Sequence, residues 1–191
     1  MRERNIALIG FRATGKSTVG EILALDLGME FIDMDQRLTS DAGRDIATWV
    51  KQDGWDCFRK AESALLDLVS LRHGLVVATG GGIVLDARSR RVLSERFFTV
   101  WLKAAPETIY ARLRSDPESA QTRPPLSDLP MQEEIRKVLC EREPLYAQAA
   151  LIEIDTEAKG AALIAAEIAV LFKKIRRREP EPLDWDPGTF Q

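Results

Sequence analysis

A glycine-rich turn near the N-terminus contains the residue types that hold phosphate groups. It runs from Gly10 to Thr18 and reads Gly-Phe-Arg-Ala-Thr-Gly-Lys-Ser-Thr, which fits the spacing G-x-x-x-x-G-K followed by Ser or Thr. In such a turn, backbone N–H groups surround the phosphates, the lysine reaches the β and γ oxygens, and the next hydroxyl can ligate Mg²⁺. A short apolar run precedes the turn and a helical pattern follows it, so we expect a loop that binds ATP and Mg²⁺. The residues expected to contact ATP here are Gly10, Ala13, Thr14, Gly15, Lys16, Ser17 and Thr18.

Two aspartates close the second apolar run of the chain. The run ends Phe-Ile-Asp-Met-Asp, with the carboxylates at Asp33 and Asp35. Alternate residues of a strand point to the same side, so we expect both carboxylates at the C-terminal edge of a sheet, beside the phosphate-binding turn. The same residues could instead cap the turn that follows the strand. Spacing alone favours neither interpretation.

Two arginines and a run of glycines follow further along the chain. Arg59 and Arg142 fall on predicted helices, and Gly80 to Gly82 come directly after the third predicted strand. Arginine presents a planar fork of donors that suits a carboxylate, and glycines let the backbone approach a ligand closely. On pattern alone, Arg59 could be a solvated helix residue, the glycines an ordinary turn, and Arg142 a partner of Glu141 or Glu143.

The elements that must position these residues alternate between short apolar runs and segments of helical period. Strands are predicted at residues 6–9, 30–32, 75–78, 97–102 and 151–154. Helices are predicted at residues 16–27, 56–72, 87–95, 106–115, 131–148 and 158–175. This alternation predicts an α/β fold, in which a five-stranded parallel sheet is sandwiched by helices and binds ligands at the C-terminal ends of its strands.

Two segments fall outside this alternation. Residues 115–130 are rich in Pro, Ser and Asp between two predicted helices, and a loop of this length in a compact domain is typical of a mobile lid. After Phe172 the apolar period stops and a basic run leads into an acidic, proline-rich end. We therefore predict one domain over residues 1–172 and an extended C-terminal tail over residues 173–191.

Composition excludes several classes of function. The chain has 191 residues and a net charge of −3, and no stretch approaches the roughly 20 apolar residues of a membrane span. Its two cysteines, Cys57 and Cys140, lie far apart and outside any metal-ligand spacing. We expect a reduced, cytoplasmic protein, a monomer that binds neither nucleic acid nor membrane.

Taken together, the motifs resemble those of the shikimate kinase family. The similarity covers about residues 5–172 and depends on five ordered motifs, so it is far more specific than the phosphate-binding turn alone. The five are Asp33-Met34-Asp35, Cys57 to Glu62, Ala78 to Gly82, Arg123-Pro124, and Arg142 to Tyr146. The resemblance implies a P-loop fold of the nucleoside-monophosphate-kinase type. It also implies an enzyme that uses ATP with Mg²⁺ to phosphorylate the 3-hydroxyl of shikimate, in the chorismate pathway to the aromatic amino acids.

The resemblance also implies roles for particular residues in the acceptor half of the site. In the family, the first aspartate of the pair supports Mg²⁺, which corresponds to Asp33 beside Ser17. The second contacts the acceptor hydroxyl, which corresponds to Asp35, and a carboxylate there can accept the proton. Shikimate would be bound by Asp35, Arg59, Gly80, Gly81, Gly82 and Arg142.

In the ATP half, the resemblance implies two further arginines. Arg123 corresponds to the lid arginine that closes over the γ-phosphate, and would be catalytic together with Lys16 and Asp35. Arg112 corresponds to the residue that stacks against adenine, with Arg114 two positions away as the alternative. The lid departs from the usual R-P-L-L and reads Arg-Pro-Pro-Leu from Arg123 onward, which leaves its closing geometry open.

Two other functions compete with shikimate phosphorylation. A gluconate kinase would keep the phosphate-binding turn and change the acceptor pocket, and the set Asp33, Asp35, Arg59 and Arg142 argues against it. Shikimate-kinase-like domains also serve as ligand sensors joined to DNA-binding domains in transcription regulators. Such a sensor could lose the catalytic aspartates, whereas this chain retains both.

Overall fold

Five short strands form one parallel sheet in the computed structural model, which describes residues 4–115 and 129–176. They are β1 (Asn5–Ile9), β2 (Glu30–Asp33), β3 (Leu75–Ala78), β4 (Phe97–Lys103) and β5 (Ile152–Asp155). Their order is β2-β3-β1-β4-β5, and each neighbouring pair is parallel. The predicted five-stranded parallel sheet is therefore confirmed, and the C-terminal ends of the strands lie at one edge.

Helices cover both faces of the sheet, as predicted. They are α1 (Lys16–Leu27), α2 (Met34–Ala42), α3 (Ile46–Ser70), α4 (Ala87–Arg96), α5 (Pro106–Ser115), α6 (Met131–Ala149) and α7 (Ala161–Arg176). On β1, Ile6 and Leu8 pack with α1 and α7, whereas Ala7 and Ile9 pack with α3, α4 and α6. The alternation of side chains along a fully buried strand thus supplies apolar contacts to two helical layers.

The region between β2 and residue 56 is more helical than the sequence predicts. Helix α2 is mostly polar and buries only Met34, Asp35 and Leu38, so it shows little apolar period. Helix α3 begins at Ile46 and is broken at Gly54, whose backbone (φ 81°, ψ 164°) is non-helical. This break interrupts the helical period and accounts for a prediction that starts only at residue 56.

The structure describes only part of the predicted C-terminal tail and of the predicted lid. Helix α7 runs to Arg176, so residues 173–176, which we assigned to the tail, are helical. The remainder of the predicted tail and residues 116–128 of the predicted lid lie outside the described residues. The domain boundary itself stays a prediction.

Within the two described ranges, no helix has both the length and the apolar character of a membrane span.

Candidate active site

The phosphate-binding turn lies between β1 and α1 and is closed by its own hydrogen bonds. Lys16 Nζ donates to the carbonyls of Gly10 (3.0 Å) and Phe11 (2.7 Å), and Thr14 Oγ1 donates to Phe11 O (2.8 Å). Gly15 precedes α1 in a left-handed conformation, and within the described region no side chain caps this helix. The first N–H groups of α1 and the Lys16 ammonium therefore lie beside the turn, an arrangement suited to bind phosphate oxygens.

The predicted adenine contact, Arg112, lies against the outer side of this turn. Its guanidinium donates to Ala13 O (3.2 Å) and to the side chain and carbonyl of Thr156, which follows β5. Arg114, the alternative, lies over the ring of Tyr110 at 5.7 Å. Of the two arginines, Arg112 is thus the one in contact with the turn, and stacking on adenine stays a prediction. Thr18, also predicted to bind ATP, is exposed in the first turn of α1.

Asp33 and Asp35 lie on different elements, so the prediction that both follow the geometry of one strand is wrong. β2 ends at Asp33, and Asp35 lies in the first turn of α2 because Asp33 caps that helix. One Asp33 oxygen accepts from the backbone N–H groups of Asp35 (3.0 Å) and Gln36 (3.1 Å). The other accepts from Ser17 Oγ at 2.5 Å. Both interpretations therefore hold for Asp33, since it caps a helix and also lies beside the phosphate-binding turn.

A cleft opens next to the turn and contains the predicted acceptor residues. It is lined by Phe11, Arg12, Asp35, Ile46, Trp55, Phe58, Arg59, Glu62, Gly80, Gly81, Gly82 and Arg142. The fold therefore brings the predicted acceptor residues Asp35, Arg59, Gly80–Gly82 and Arg142 together in one cleft. Arg123, the predicted closing arginine, lies outside the described residues.

Charged side chains approach the backbone of the glycine turn after β3 closely. A Cβ at Gly80 would collide with the Glu62 carboxylate, and a Cβ at Gly82 would collide with the Arg59 guanidinium. The carbonyl of Gly81 accepts hydrogen bonds from Arg142 (3.0 Å) and from the Tyr146 hydroxyl (2.5 Å). The turn is thus held between α3 and α6, the two helices that carry the predicted acceptor arginines.

Arg59 is fixed by residues that the sequence analysis did not single out. Its guanidinium lies 4.8 Å above the Trp55 ring and donates to Glu62 Oε2 at 2.5 Å. Glu62 is fully buried, and its Oε1 accepts no hydrogen bond from the described residues. Burial raises the pKa of the Glu62 carboxyl, while the charge of Arg59 opposes this and that of Asp35 adds to it. The spacing of three between Arg59 and Glu62 on one helix was the available signal.

Arg142 is buried and faces the glycine turn. Among the described residues, no ion pair joins it to Glu141 or Glu143, both of which are exposed. Neighbouring positions on a helix point in different directions, so these glutamates cannot follow Arg142 into the cleft. Tyr146, four residues later, lies on the same face and shares the Gly81 carbonyl with Arg142. The interpretation of Arg142 as an ion-pair partner of Glu141 or Glu143 is therefore wrong for this fold.

Replacing Tyr146 by phenylalanine is expected to lower the free energy of unfolding by about 1 kcal/mol near pH 8, because the buried hydroxyl loses its bond to Gly81. Burial raises the pKa of Tyr146 to about 12, above the usual value of about 10. Since the folded pKa is the higher one, this stabilisation is complete below about pH 10 and is lost as pH rises through about 12. Urea unfolding near pH 8 and near pH 11 should show the wild-type advantage shrinking at the higher pH. An equal advantage at both values would contradict the prediction.

The structure combines a phosphate-binding turn on a parallel α/β sheet with a cleft that is lined by a carboxylate and two arginines. This combination defines a P-loop kinase that acts on a small molecule. Comparison with known proteins narrows the class. The family model for shikimate kinase matches residues 12–173. A shikimate kinase of Nitratidesulfovibrio vulgaris is 45% identical over 166 residues, covering 87% of this chain and 94% of the relative.

Solved structures agree with the sequence relatives. A shikimate kinase from Acinetobacter baumannii, determined in complex with shikimate, superimposes with a TM-score of 0.84 at 32% identity, covering 93% of this chain and 96% of that one. A gluconokinase from Sinorhizobium meliloti reaches a TM-score of 0.55 at 16% identity, covering 91% and 94%, and shares the fold alone. This chain belongs to the shikimate kinase family, and it is an ATP-dependent kinase.

Proposed function

We propose that this chain transfers the γ-phosphoryl group of ATP to the 3-hydroxyl of shikimate, which yields shikimate 3-phosphate and ADP for aromatic amino-acid biosynthesis. The observation that carries the proposal is the single cleft in which Asp35, Arg59 and Arg142 meet the phosphate-binding turn. Two arginines in the cleft suit the carboxylate of the acceptor, and the carboxylate of Asp35 suits its hydroxyl. Membership of the family supports the same substrate.

The proposed reaction forms a bond between the acceptor oxygen and the γ-phosphorus and breaks the bond from that phosphorus to the β,γ-bridging oxygen. Arg59, Arg142 and the glycine turn would hold the acceptor so that its hydroxyl faces the γ-phosphate. Asp35 would orient that hydroxyl and receive its proton. Lys16 would stabilise negative charge on the β and γ oxygens, with Arg123 as the proposed second cation.

Mg²⁺ is the proposed cofactor, and the residues beside the turn fit it. The Ser17 hydroxyl and an Asp33 carboxylate oxygen lie 2.5 Å apart, and both are hard oxygen donors of the kind that Mg²⁺ prefers. Mg²⁺ in kinases is commonly held by few protein oxygens together with substrate phosphates, so a dense acidic cluster is not required. When bound, the ion would neutralise charge on the β and γ oxygens.

A turnover assay with competing acceptors tests the proposal. The purified chain is incubated with ATP and Mg²⁺ and either shikimate or gluconate, and ADP release is followed while phosphorus NMR identifies the product. With shikimate we expect ADP release and a phosphate monoester as the product. With gluconate we expect neither. Turnover of gluconate would favour the gluconate kinase alternative, and shikimate binding without turnover would favour a sensor.

Removing either acceptor arginine is expected to weaken shikimate binding by about 2–5 kcal/mol, or roughly 30- to 5,000-fold, because a carboxylate loses its charged partner in a closed cleft. Isothermal titration calorimetry of Arg142→Ala should show this loss for shikimate and little change for ADP. The matched control is Arg136→Ala on the same helix, where the side chain is 55% exposed. A loss that falls on ADP instead would reject the assignment.

Arg59→Ala carries an additional consequence that Arg142→Ala lacks. It leaves the buried Glu62 carboxylate without its hydrogen-bonding partner, so part of the loss would come from rearrangement of Glu62. The double variant Arg59→Ala/Glu62→Gln should therefore be more stable to heat than Arg59→Ala and still bind shikimate weakly.

The expectation of a cytoplasmic monomer that binds neither nucleic acid nor membrane remains a prediction.

A further inference from the structure

The phosphate-binding turn is fastened to α6 by two consecutive residues, Phe11 and Arg12. Phe11 is 1% exposed and packs in an apolar cluster with Ile135, Val138 and Leu139 of α6. The guanidinium of Arg12 lies 5.7 Å from the centre of the Phe11 ring, on the same side of the turn. The turn that would bind ATP is thus packed directly on the helix that carries an acceptor arginine.

Arg12 forms a largely buried ion pair with this helix. Its Nη2 donates to Glu134 Oε1 at 2.8 Å, and the two side chains are 11% and 2% exposed. Burying two charges costs solvation free energy, and an apolar pair of similar volume often stabilises a fold equally well. A contribution to folding stability therefore does not by itself account for the pair. What it adds beyond apolar packing is a directional bond that fixes the position of the turn on α6.

The same face of α6 reaches the acceptor half of the site. Glu134 and Arg142 are eight residues apart, a spacing that places them on one side of a helix about 12 Å apart along its axis. Arg142 donates to Gly81 O, and a Cβ at Gly81 would lie 3.4 Å from the backbone nitrogen of Arg12. Gly81, which accepts from Arg142, thus lies close to the backbone of Arg12, and α6 joins both arginines through Glu134 and Arg142.

We propose that Arg12 is a positioning residue: its ion pair with Glu134 fixes the phosphate-binding turn relative to Arg142, so that the acceptor hydroxyl and the γ-phosphate are held at reacting distance. This inference depends on the proposed function. Small errors in the alignment of two bound reactants reduce the rate of reaction strongly, whereas the affinity for each reactant alone does not depend on that alignment. The pair therefore acts on kcat. Among the described residues, Arg12 lines the cleft and Glu134 does not, so a substitution at Glu134 leaves the separate affinities unchanged.

The test uses Glu134→Gln, Arg12→Lys, Arg12→Met and the double variant Arg12→Met/Glu134→Gln. Glu107→Gln is the matched control, because Glu107 pairs with Arg136 of the same helix α6 but both side chains are more than half exposed. For each protein, kcat is measured below its unfolding temperature, and calorimetry gives the affinities for ADP alone and shikimate alone. Wild-type turnover of shikimate in the same assay tests the proposed function separately.

We expect Glu134→Gln to lower kcat by about 10- to 100-fold while each separate affinity stays within about threefold. Arg12→Lys keeps the charge and should retain more activity than Arg12→Met. The double variant should be no slower than the slower single variant, because the two residues act as a unit. Glu107→Gln should match the wild type.

Three results would overturn the inference while the proposed function stands. They are a kcat of Glu134→Gln within about threefold of wild type, a loss that appears equally in the separate affinities, and single effects that multiply in the double variant. If Glu134→Gln does not fold, Arg12→Lys and Arg12→Met decide by kcat and by ADP affinity, because Arg12 itself lines the acceptor cleft. A wild-type chain that fails to phosphorylate shikimate overturns the proposed function along with this inference.

Discussion

Lys16→Ala is expected to abolish turnover while the chain keeps its fold, with a fall in kcat of at least about 10³-fold. Lys16 is 8% exposed and is the first residue of α1, and its ammonium donates to two carbonyls of the phosphate-binding turn. In the reaction the same cation would face negative charge that develops on the transferring phosphoryl group and on ADP. Of the other side chains in the turn, Thr14 and Ser17 are neutral, and the cation of Arg12 is held in an ion pair with Glu134.

The substitution also removes the donor to Gly10 O and Phe11 O, so a change in the shape of the turn must be separated from loss of the charge. Lys16→Met keeps the length of the side chain and removes only the ammonium, and should be as inactive as Lys16→Ala. Lys60→Met, an exposed position on α3, is the control for loss of a lysine. Circular dichroism and thermal unfolding check the fold. A kcat of Lys16→Met within about tenfold of wild type would remove this lysine from the mechanism.

The strands and the phosphate-binding turn could be predicted from the sequence because each is encoded locally. Four or five consecutive apolar residues suffice to identify a strand buried on both faces, such as Leu75–Ala78. The turn is defined by a few residues at fixed spacing. The helical region from Met34 to Gly54 was largely missed because its stability comes from caps, at Asp33 and Asp45, and from contacts with other helices.

The partners of the site residues could not be predicted, because they depend on how distant segments pack. Tyr146 and Arg142 meet Gly81 from more than sixty positions away in the sequence, and Arg12 meets Glu134 across the whole domain. Glu62 could have been suspected from its spacing to Arg59, but its complete burial and its contact with Gly80 follow only from the fold. The sequence therefore predicts the groups that would touch the substrates better than those that hold these groups in place.

Asp33 illustrates the same limit within a single residue. Capping a helix and facing the phosphate-binding turn were alternatives at the level of sequence, and the structure assigns one carboxylate oxygen to each. Because the cap starts α2 directly after β2, Asp35 turns into the cleft instead of continuing the strand. Because α2 starts between the two carboxylates, Asp33 lies beside the phosphate-binding turn whereas Asp35 lines the cleft.

Asp35→Asn is expected to lower kcat by about 10²-fold or more and to leave shikimate affinity within about tenfold of wild type. Asp35 lines the cleft and is 9% exposed. An amide has the shape of the carboxylate and can still accept a hydrogen bond from the acceptor hydroxyl, so the bound acceptor should be oriented nearly as before. It cannot take up the proton as the hydroxyl attacks, so the loss should appear in the chemical step.

Neighbouring charges make binding an informative second measurement for Asp35→Asn. The Asp35 charge contributes to the raised pKa of the Glu62 carboxyl, so its removal favours the ionised form of Glu62, the form that holds Arg59 most strongly. This change supports acceptor binding and opposes any loss of affinity from the substitution. Asp41→Asn, exposed on the same helix, is the matched control. If pre-steady-state kinetics showed an unchanged phosphoryl-transfer rate in Asp35→Asn, the carboxylate would be a structural residue of the cleft and the proton would have to leave by another route.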